Sequence, residues 1–227
     1  MKMIRQFIST LAVLVVLGAI GSSSASAAPE FLLLPGGKFP VAFTSKSGAT
    51  TWQTAAGAAI KCTADTDSGE IENARLGKVT IDLTGCKQGA LGCRSEAGGV
   101  KDPVETILVK NADVHLTAER AAGNVLEGVV WVILLEVLKV DCGALLHEFR
   151  GALPGLITPI NQFTTGAELK SAESKGKQET GECVELKEDC EKLAKEPFEE
   201  NETGEFEAAG AESADNITFA EMVEIMA

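Results

Sequence analysis

Hydrophobic residues follow one recurring pattern from residue 31 onward: they stand in short runs or at alternate positions, and glycines interrupt them. In the segment 78–83, Val79, Ile81 and Leu83 alternate with polar residues, so one face is apolar and the other polar. A period of two residues is typical of a half-buried β-strand rather than of a helix. Similar patterns predict further strands over 38–46, 57–62, 104–109, 113–119, 128–135, 145–151, 216–220 and 222–225.

Residues that favour turns separate several of these predicted strands. Residues 67–69 (Asp-Ser-Gly) predict a hairpin turn, residues 111–112 (Asn-Ala) a second turn, and residues 141–143 (Asp-Cys-Gly) a third. The very apolar segment 128–135 is far too short to cross a bilayer, because a spanning helix needs about 20 residues. Its β-branched residues favour a buried strand, and a helix over 134–138 is the alternative.

The succession of short strands predicts an all-β fold for residues 28–227. We expect a single disulfide-stapled domain, either a β-sandwich or a flattened β-barrel of about ten to twelve strands. Its hydrophobic core is predicted to centre on Val79, Ile81, Leu83, Ile107, Val109, Val130, Val132 and Leu134.

The first 27 residues have the three-part layout of a secretory signal peptide. Lys2 and Arg5 precede an apolar run over 7–20, and small residues at 25–27 form a cleavage site. The run is shorter than the roughly 20 residues of a membrane-spanning helix, so an uncleaved anchor is the less favoured alternative. We therefore expect a protein exported out of the cell, cleaved after Ala27 or Ala28, with no stable membrane anchor afterwards.

All six cysteines follow the predicted cleavage site. An even number of cysteines in an exported chain predicts three disulfides, for which the sequence alone allows 15 pairings. Two pairs share the spacing C-x6-C, which favours two local bonds and one long-range bond, and zinc is disfavoured because no C-x-x-C pair is present. The predicted bonds are Cys86–Cys93, Cys183–Cys190 and Cys62–Cys142.

The chain is acidic, with 20 basic and 33 acidic residues and a net charge of −13. Such a surface repels phosphate backbones and anionic lipids, which argues against a nucleic-acid partner. The acidity is concentrated near the C-terminus, where a partly irregular insert is predicted over about 173–203. A helix over 185–195 is an alternative there, but a continuous helix would hold Cys183 and Cys190 about 10.5 Å apart, too far for a disulfide.

Few residues of the sequence suggest catalytic or binding chemistry. His147 and Glu148 are the best pair for a hydrolase, but no G-x-S-x-G nucleophile elbow accompanies them. Residues 65–69 (Asp-Thr-Asp-Ser-Gly) resemble the start of a calcium loop, which fails at its third ligand, where Gly69 stands. Trp52 is the one tryptophan expected to be exposed, which is weak support for sugar binding. We predict no catalytic residue, cofactor site or specific metal site.

Several motifs resemble those of a group of exported proteins from soil actinobacteria. They are G-x-x-I-x-C at 57–62, V-T-I-D-L-T-G-C at 79–86, F-R-G-A-L-P-G-L-I-T-P-I-N at 149–161 and S-K-G-K-Q at 174–178, followed by F-E-A-A-G-A-E at 206–212 and V-E-I at 223–225. The cysteine-containing stretch around 182–200 departs from the resemblance. The resemblance implies a secreted, β-rich domain and carries no assigned activity.

The sequence thus predicts a secreted, non-catalytic module that binds a cell-wall component, an extracellular partner or a small ligand. An exported hydrolase with a site near His147 and Glu148 is the alternative. Calcium binding through the acidic C-terminal region is a weaker one.

Overall fold

A computed structural model describes residues 28–97, 99–120, 126–178, 182–185, 192–201 and 204–227. About 71% of them lie in β-strands and only 2% in helices, and eight of the strands form a closed antiparallel barrel, so the predicted all-β fold is confirmed. The strands are β1 Glu30–Leu33, β2 Val41–Ser47, β3 Thr50–Thr54, β4 Ala59–Cys62, β5 Ala64–Ile71, β6 Leu76–Thr84, β7 Lys87–Gln88, β8 Leu91–Gly92, β9 Arg94–Ala97, β10 Val100–Lys101, β11 Thr106–Arg120, β12 Leu126–Cys142, β13 Leu145–Thr158, β14 Phe163–Ser171, β15 Glu182–Glu185, β16 Glu199–Asn201 and β17 Glu207–Met226.

The barrel runs in the order β2, β5, β6, β11, β12, β13, β14 and β17, and β17 pairs again with β2 to close it. Closure leaves these strands no unpaired edges, which isolated antiparallel sheets must protect in other ways. The predicted core is confirmed. Val79, Leu83, Ile107, Val109 and Val130 are buried, and Ile81, Val132 and Leu134 are partly buried against them.

Long strands extend the sheet beyond the barrel. The far end of β12 pairs with β9, β16 joins β13 to β17, and β17 also pairs with β3, which continues through β4 and β7 to β8. An aromatic cluster of Trp52, Phe149 and Phe198 packs in this outer part, with ring centroids 4.9 to 5.8 Å apart. The expectation that Trp52 is exposed was wrong, because only 7% of the residue is accessible to solvent.

Several predicted turns and breaks lie inside strands. The expected hairpin at 67–69 is wrong, because these residues are in the middle of β5. Gly69 is there because a Cβ atom would collide with the ring of Phe43 and the backbone of β6. Segments 104–109 and 113–119 belong to one strand, β11, which begins only at Thr106 and has a bulge at Asn111 rather than a turn. Segments 216–220 and 222–225 also belong to one strand, β17.

Two other local predictions have opposite outcomes. The turn at 141–143 is confirmed, since β12 ends at Cys142 and β13 begins two residues after Gly143. The alternative of a helix over 134–138 is wrong: these residues remain in β12, where a bulge shifts the register against β13 between Leu134 and Leu138.

The structure pairs four of the cysteines differently from the prediction. The disulfides are Cys62–Cys86 and Cys93–Cys142, not Cys62–Cys142 and Cys86–Cys93. The reason is strand register. Ala64 faces Thr84 in the β5–β6 ladder, and two pairs further along the same register Cys62 faces Cys86. In the β9–β12 ladder Arg94 faces Asp141, so the next pair brings Cys93 opposite Cys142.

We expect the Cys93→Ser/Cys142→Ser double variant to lose roughly 2–4 kcal/mol of unfolding free energy, because this bond closes the longer loop. The Cys62→Ser/Cys86→Ser variant, with 24 rather than 49 residues of separation, should lose slightly less. Urea denaturation followed by circular dichroism measures both losses. Non-reducing peptide mapping that recovered a Cys86–Cys93 or Cys62–Cys142 peptide would contradict the pairing.

Some predictions fall outside the described residues. These are the signal peptide at 1–27 and the Cys183–Cys190 bond, since residue 190 is not described. Within the predicted insert at 173–203 the described part includes a short helical turn at 192–194, whose Leu193 packs against Trp131. In the described part of the chain, no helix has the length and apolar character needed to span a membrane.

Candidate functional site

The barrel encloses a cavity of about 100 Å³. A closed barrel of eight strands is just wide enough to be filled by side chains or to hold one small ligand. Most of the wall is apolar, and a polar patch of acids and hydroxyls occupies one region of it. The apolar lining includes Phe31, Phe43, Ile71, Val79, Ile81, Leu83, Val114, Val130, Val132, Leu153, Ile157, Leu169, Ile217 and Phe219.

The polar patch comes from three adjacent strands, β5, β2 and β17. In the antiparallel register Asp65 faces Ser47, and Ser47 faces Asp215 on its other side. The next inward-pointing row places Ser45 opposite Asp67. Because side chains alternate between the two faces of a strand, these residues all point towards the barrel interior.

The three aspartates form a tight cluster. One carboxylate oxygen of Asp65, Asp67 and Asp215 lies within 4.8 Å of the corresponding oxygens of the other two. Asp65 and Asp215 are only 5% and 6% exposed. Thr50 Oγ1 donates a hydrogen bond of 3.5 Å to Asp65 Oδ2, and Ser213 Oγ donates one of 2.8 Å to Asp215 Oδ2. Hydroxyl donors therefore orient two of the three carboxylates.

Several polar atoms of the patch have no hydrogen-bond partner. They are the Oδ1 atoms of Asp65, Asp67 and Asp215 and the Oγ atom of Ser45, which is 4% exposed. Among the described residues, no lysine, arginine or histidine lines the cavity. Buried polar groups in folded proteins are nearly always paired, so this concentration of unpaired acceptors is unusual.

The environment raises the pKa of every carboxyl group in the cluster. Burial is the main cause for all three. The pKa of Asp67 rises to about 8, because the charges of Asp65 and Asp215 add to the effect of burial and the nearby Ser45 hydroxyl offsets it only in part. Burial and the charge of Asp65 raise the pKa of Asp215 to about 6. Such shifts are typical of functional sites, although structural clusters also show them.

The structure separates the two residues singled out for a hydrolase. His147 is buried, its Nδ1 donates a 2.7 Å hydrogen bond to Glu200, and its Nε2 lies 2.8 Å from the side-chain oxygen of Gln88. Glu148 points to the opposite face of β13, where it pairs with Lys139 at 3.4 Å. Both ring nitrogens of His147 are thus engaged, and the two residues cannot act together on one substrate.

Two members of the cluster, Asp65 and Asp67, stand in the segment that resembles the start of a calcium loop. Their spacing of two residues is the pattern that places both side chains on one face of a strand, and the turn predicted at 67–69 conflicts with it. Asp215 immediately precedes the predicted strand over 216–220, and no local pattern indicates its role. Only closure of the barrel between β17 and β2 brings it beside Asp65.

A groove on the protein surface lies next to the acidic region of the cavity. Ser171 and Ser213, which face each other across β14 and β17, line both spaces. The groove also includes Thr51, Lys170, Glu173 and Glu212. The two shared serines place it beside the acidic region of the cavity.

No family model, curated protein or solved structure matches this chain.

Proposed function

We propose that this protein is an exported, non-catalytic binding module that takes a small positively charged ligand into its barrel. The observation that carries the proposal is the cluster of Asp65, Asp67 and Asp215 inside the cavity, with unpaired acceptor atoms pointing inward. The ligand class follows from charge and space. The non-catalytic role is supported by the separation of His147 and Glu148, which contact different partners on opposite faces of β13.

Charge favours a cation. Three neighbouring carboxyl groups repel one another when ionised, and no basic side chain among the described lining residues compensates them. A positive ligand would supply the missing countercharge, and the apolar wall around it would strengthen the attraction by lowering the local dielectric constant.

The space inside the barrel limits the ligand to a small one. A protein cavity of about 150 Å³ holds one benzene molecule, and the cavity here is smaller, about 100 Å³. A metal ion with a few waters, or an organic cation of a few non-hydrogen atoms, satisfies this limit. A polysaccharide or peptide chain does not fit inside, which disfavours a cell-wall polymer as the ligand of this cavity.

Export is the second part of the proposal. The predicted signal peptide supports it, and the two disulfides are consistent with an extracellular protein. The structure offers no comparable support for the hydrolase alternative, since His147 and Glu148 lie on opposite faces of β13.

Thermal unfolding tests the ligand class. We expect at least one of n-butylammonium, calcium and magnesium chlorides to raise the Tm, and n-butanol and sodium butyrate to leave it unchanged at equal ionic strength. A ligand at ten times its Kd adds about 1.4 kcal/mol to the free energy of unfolding. The Asp67→Asn variant should lose this response.

The control for that substitution is Asp82→Asn. Asp82 is on the neighbouring strand β6 and also has a buried, unpaired Oδ1 atom, but it does not line the cavity. An equal response to n-butanol, or no response to any of the cations, would contradict the proposed ligand class. Hydrolysis of a chromogenic ester or glycoside that Asp67→Asn abolishes would contradict the non-catalytic role.

A further inference from the structure

We infer that the acidic region of the barrel cavity is a calcium site, with Asp65, Asp67 and Asp215 as ligands and the hydroxyl of Ser45 as a fourth. This inference rests on the proposed function and names the ligand of the same cavity. It differs from diffuse calcium binding by the acidic C-terminal region, because two of its four residues lie on β5 and one on β2.

The donor atoms select a hard cation. The cluster offers only carboxylate and hydroxyl oxygens, and no histidine or free cysteine among the described residues lines the cavity. Oxygen-only sites suit Ca²⁺ and Mg²⁺, whereas zinc and copper prefer imidazole and thiolate ligands. The choice therefore lies between the two divalent ions of the alkaline-earth group.

The separation of the oxygens agrees with the size of a calcium ion. Ca²⁺ binds its ligands at about 2.3–2.6 Å, so two ligands on opposite sides of the ion are at most about 5 Å apart. The three carboxylate oxygens all lie within 4.8 Å of one another. Only small side-chain movements would be needed for all three to contact one ion.

The hydroxyl of Ser45 is a second observation at this site. Its Oγ atom is buried and lines the cavity, and it makes no hydrogen bond of regular geometry, although the residue stands opposite Asp67 and its hydroxyl interacts with that carboxyl group. Buried hydroxyl groups normally find a partner, because leaving one unpaired costs free energy. An ion held by the three aspartates would provide that partner, and the same ion would satisfy the unpaired Oδ1 atoms.

Charge and geometry favour Ca²⁺ over the other small cations. A divalent ion compensates two of three carboxylate charges, whereas an ammonium group compensates one. Mg²⁺ demands an almost ideal octahedron at about 2.0–2.1 Å and usually retains several waters. The acids here are fixed on two strands of a closed barrel, and Thr50 and Ser213 orient two of them. Calcium tolerates such irregular arrangements.

Isothermal titration of the purified chain with calcium chloride, in buffer freed of divalent ions, tests the inference. We expect one ion per chain with a Kd between about 10⁻⁵ and 10⁻³ M, the range from sensor sites to extracellular modules. Magnesium chloride should bind at least about tenfold more weakly. The same titration with n-butylammonium chloride tests whether an organic cation binds.

The variants locate the ion. Asp67→Asn and Asp215→Asn should each weaken calcium binding by about tenfold or more, and Ser45→Ala by a smaller factor, while the Asp82→Asn control binds as the unchanged protein does. Circular dichroism checks that each variant is folded. Since the variants on β5, β2 and β17 are independent, misfolding of one of them leaves the others to decide.

The outcomes distinguish the calcium site from the more general proposal of a cation-binding barrel. Binding of n-butylammonium without calcium would overturn the calcium site and leave the cation-binding barrel in place. No binding of any cation would overturn both. Calcium binding that is unaffected by Asp67→Asn and Asp215→Asn would place the ion outside the barrel and overturn the site.

Discussion

The Glu200→Ala variant is expected to lose about 3–5 kcal/mol of unfolding free energy, one of the two largest effects we predict. Glu200 and His147 are each only 1% exposed, and they form a 2.7 Å hydrogen bond between β16 and β13. Removing one member of a buried ionisable pair leaves the other desolvated and without its partner, which is far more costly than loss of a surface ion pair. Urea denaturation monitored by circular dichroism measures the loss.

The matched control is Glu148→Ala, the same change one residue after His147. Glu148 faces the other side of β13, and its ion pair with Lys139 is partly exposed, with side chains 29% and 49% accessible to solvent, so we expect a loss below about 1 kcal/mol. Replacing His147 and Glu200 together by leucine should recover part of the stability, because the buried ionisable pair is then absent and only the part-buried Gln88 side chain loses its partner. Equal losses in Glu200→Ala and Glu148→Ala would show that the buried pair has no special structural role.

The periodicity of the sequence was sufficient to predict the fold class and the core. Val79 and Leu83, predicted inward from alternation alone, are buried in the structure. The prediction succeeds because one face of each barrel strand must be apolar to fill the interior. Apolar residues therefore recur at every second position of the strand. The same reasoning could not tell one bulged strand from two strands, since Asn111 is as typical of a turn as of a bulge.

The disulfide pairing depends on information that local sequence patterns do not contain. Equal spacing suggested the bonds Cys86–Cys93 and Cys183–Cys190, but the first of these does not form. Cys86 instead bonds to Cys62 because the β5–β6 register places the two opposite each other. A register is a relation between strands, and it became known only when the partners of each strand were known.

The acid cluster combines a contact that a local sequence pattern could reveal with one that no local pattern reveals. Asp65 and Asp67 share one face of β5, which their spacing could have revealed once the segment was recognised as a strand. Asp215 stands 148 residues after Asp67 in the chain. The pairing of β17 with β2 brings it beside the other two aspartates. No local pattern predicts that contact, because it depends on which two strands close the barrel.

The free energy of unfolding is expected to fall as the pH rises from about 4 to about 8 in a buffer that contains a chelator. The pKa of Asp67 rises from its usual 3.8 to about 8 in the folded protein, and that of Asp215 to about 6. Over this range the unfolded chain has released protons that the folded chain still holds. Stability therefore decreases by about 1.4 kcal/mol per pH unit for each proton retained.

Asp141 has the opposite effect. The hydrogen bond from Lys101 is the main cause that lowers the pKa of Asp141, so this residue contributes stability above about pH 4 that is lost only as the pH falls further. Asp65, whose pKa is raised mainly by burial, acts in the same direction as Asp67 and Asp215. All three carboxyl groups of the cluster thus contribute to a decline in stability as the pH rises.

Asp67→Asn tests that assignment, because asparagine has nearly the same shape and cannot ionise. We expect this variant to be more stable than the unchanged protein at pH 8, about equal to it at pH 4, and less dependent on pH between the two. Asp82→Asn, outside the cavity, should keep the original slope. If Asp67→Asn kept the original slope as well, the decline in stability would have to come from groups other than the Asp67 carboxyl. Burial of that carboxyl would then not be what limits stability at high pH.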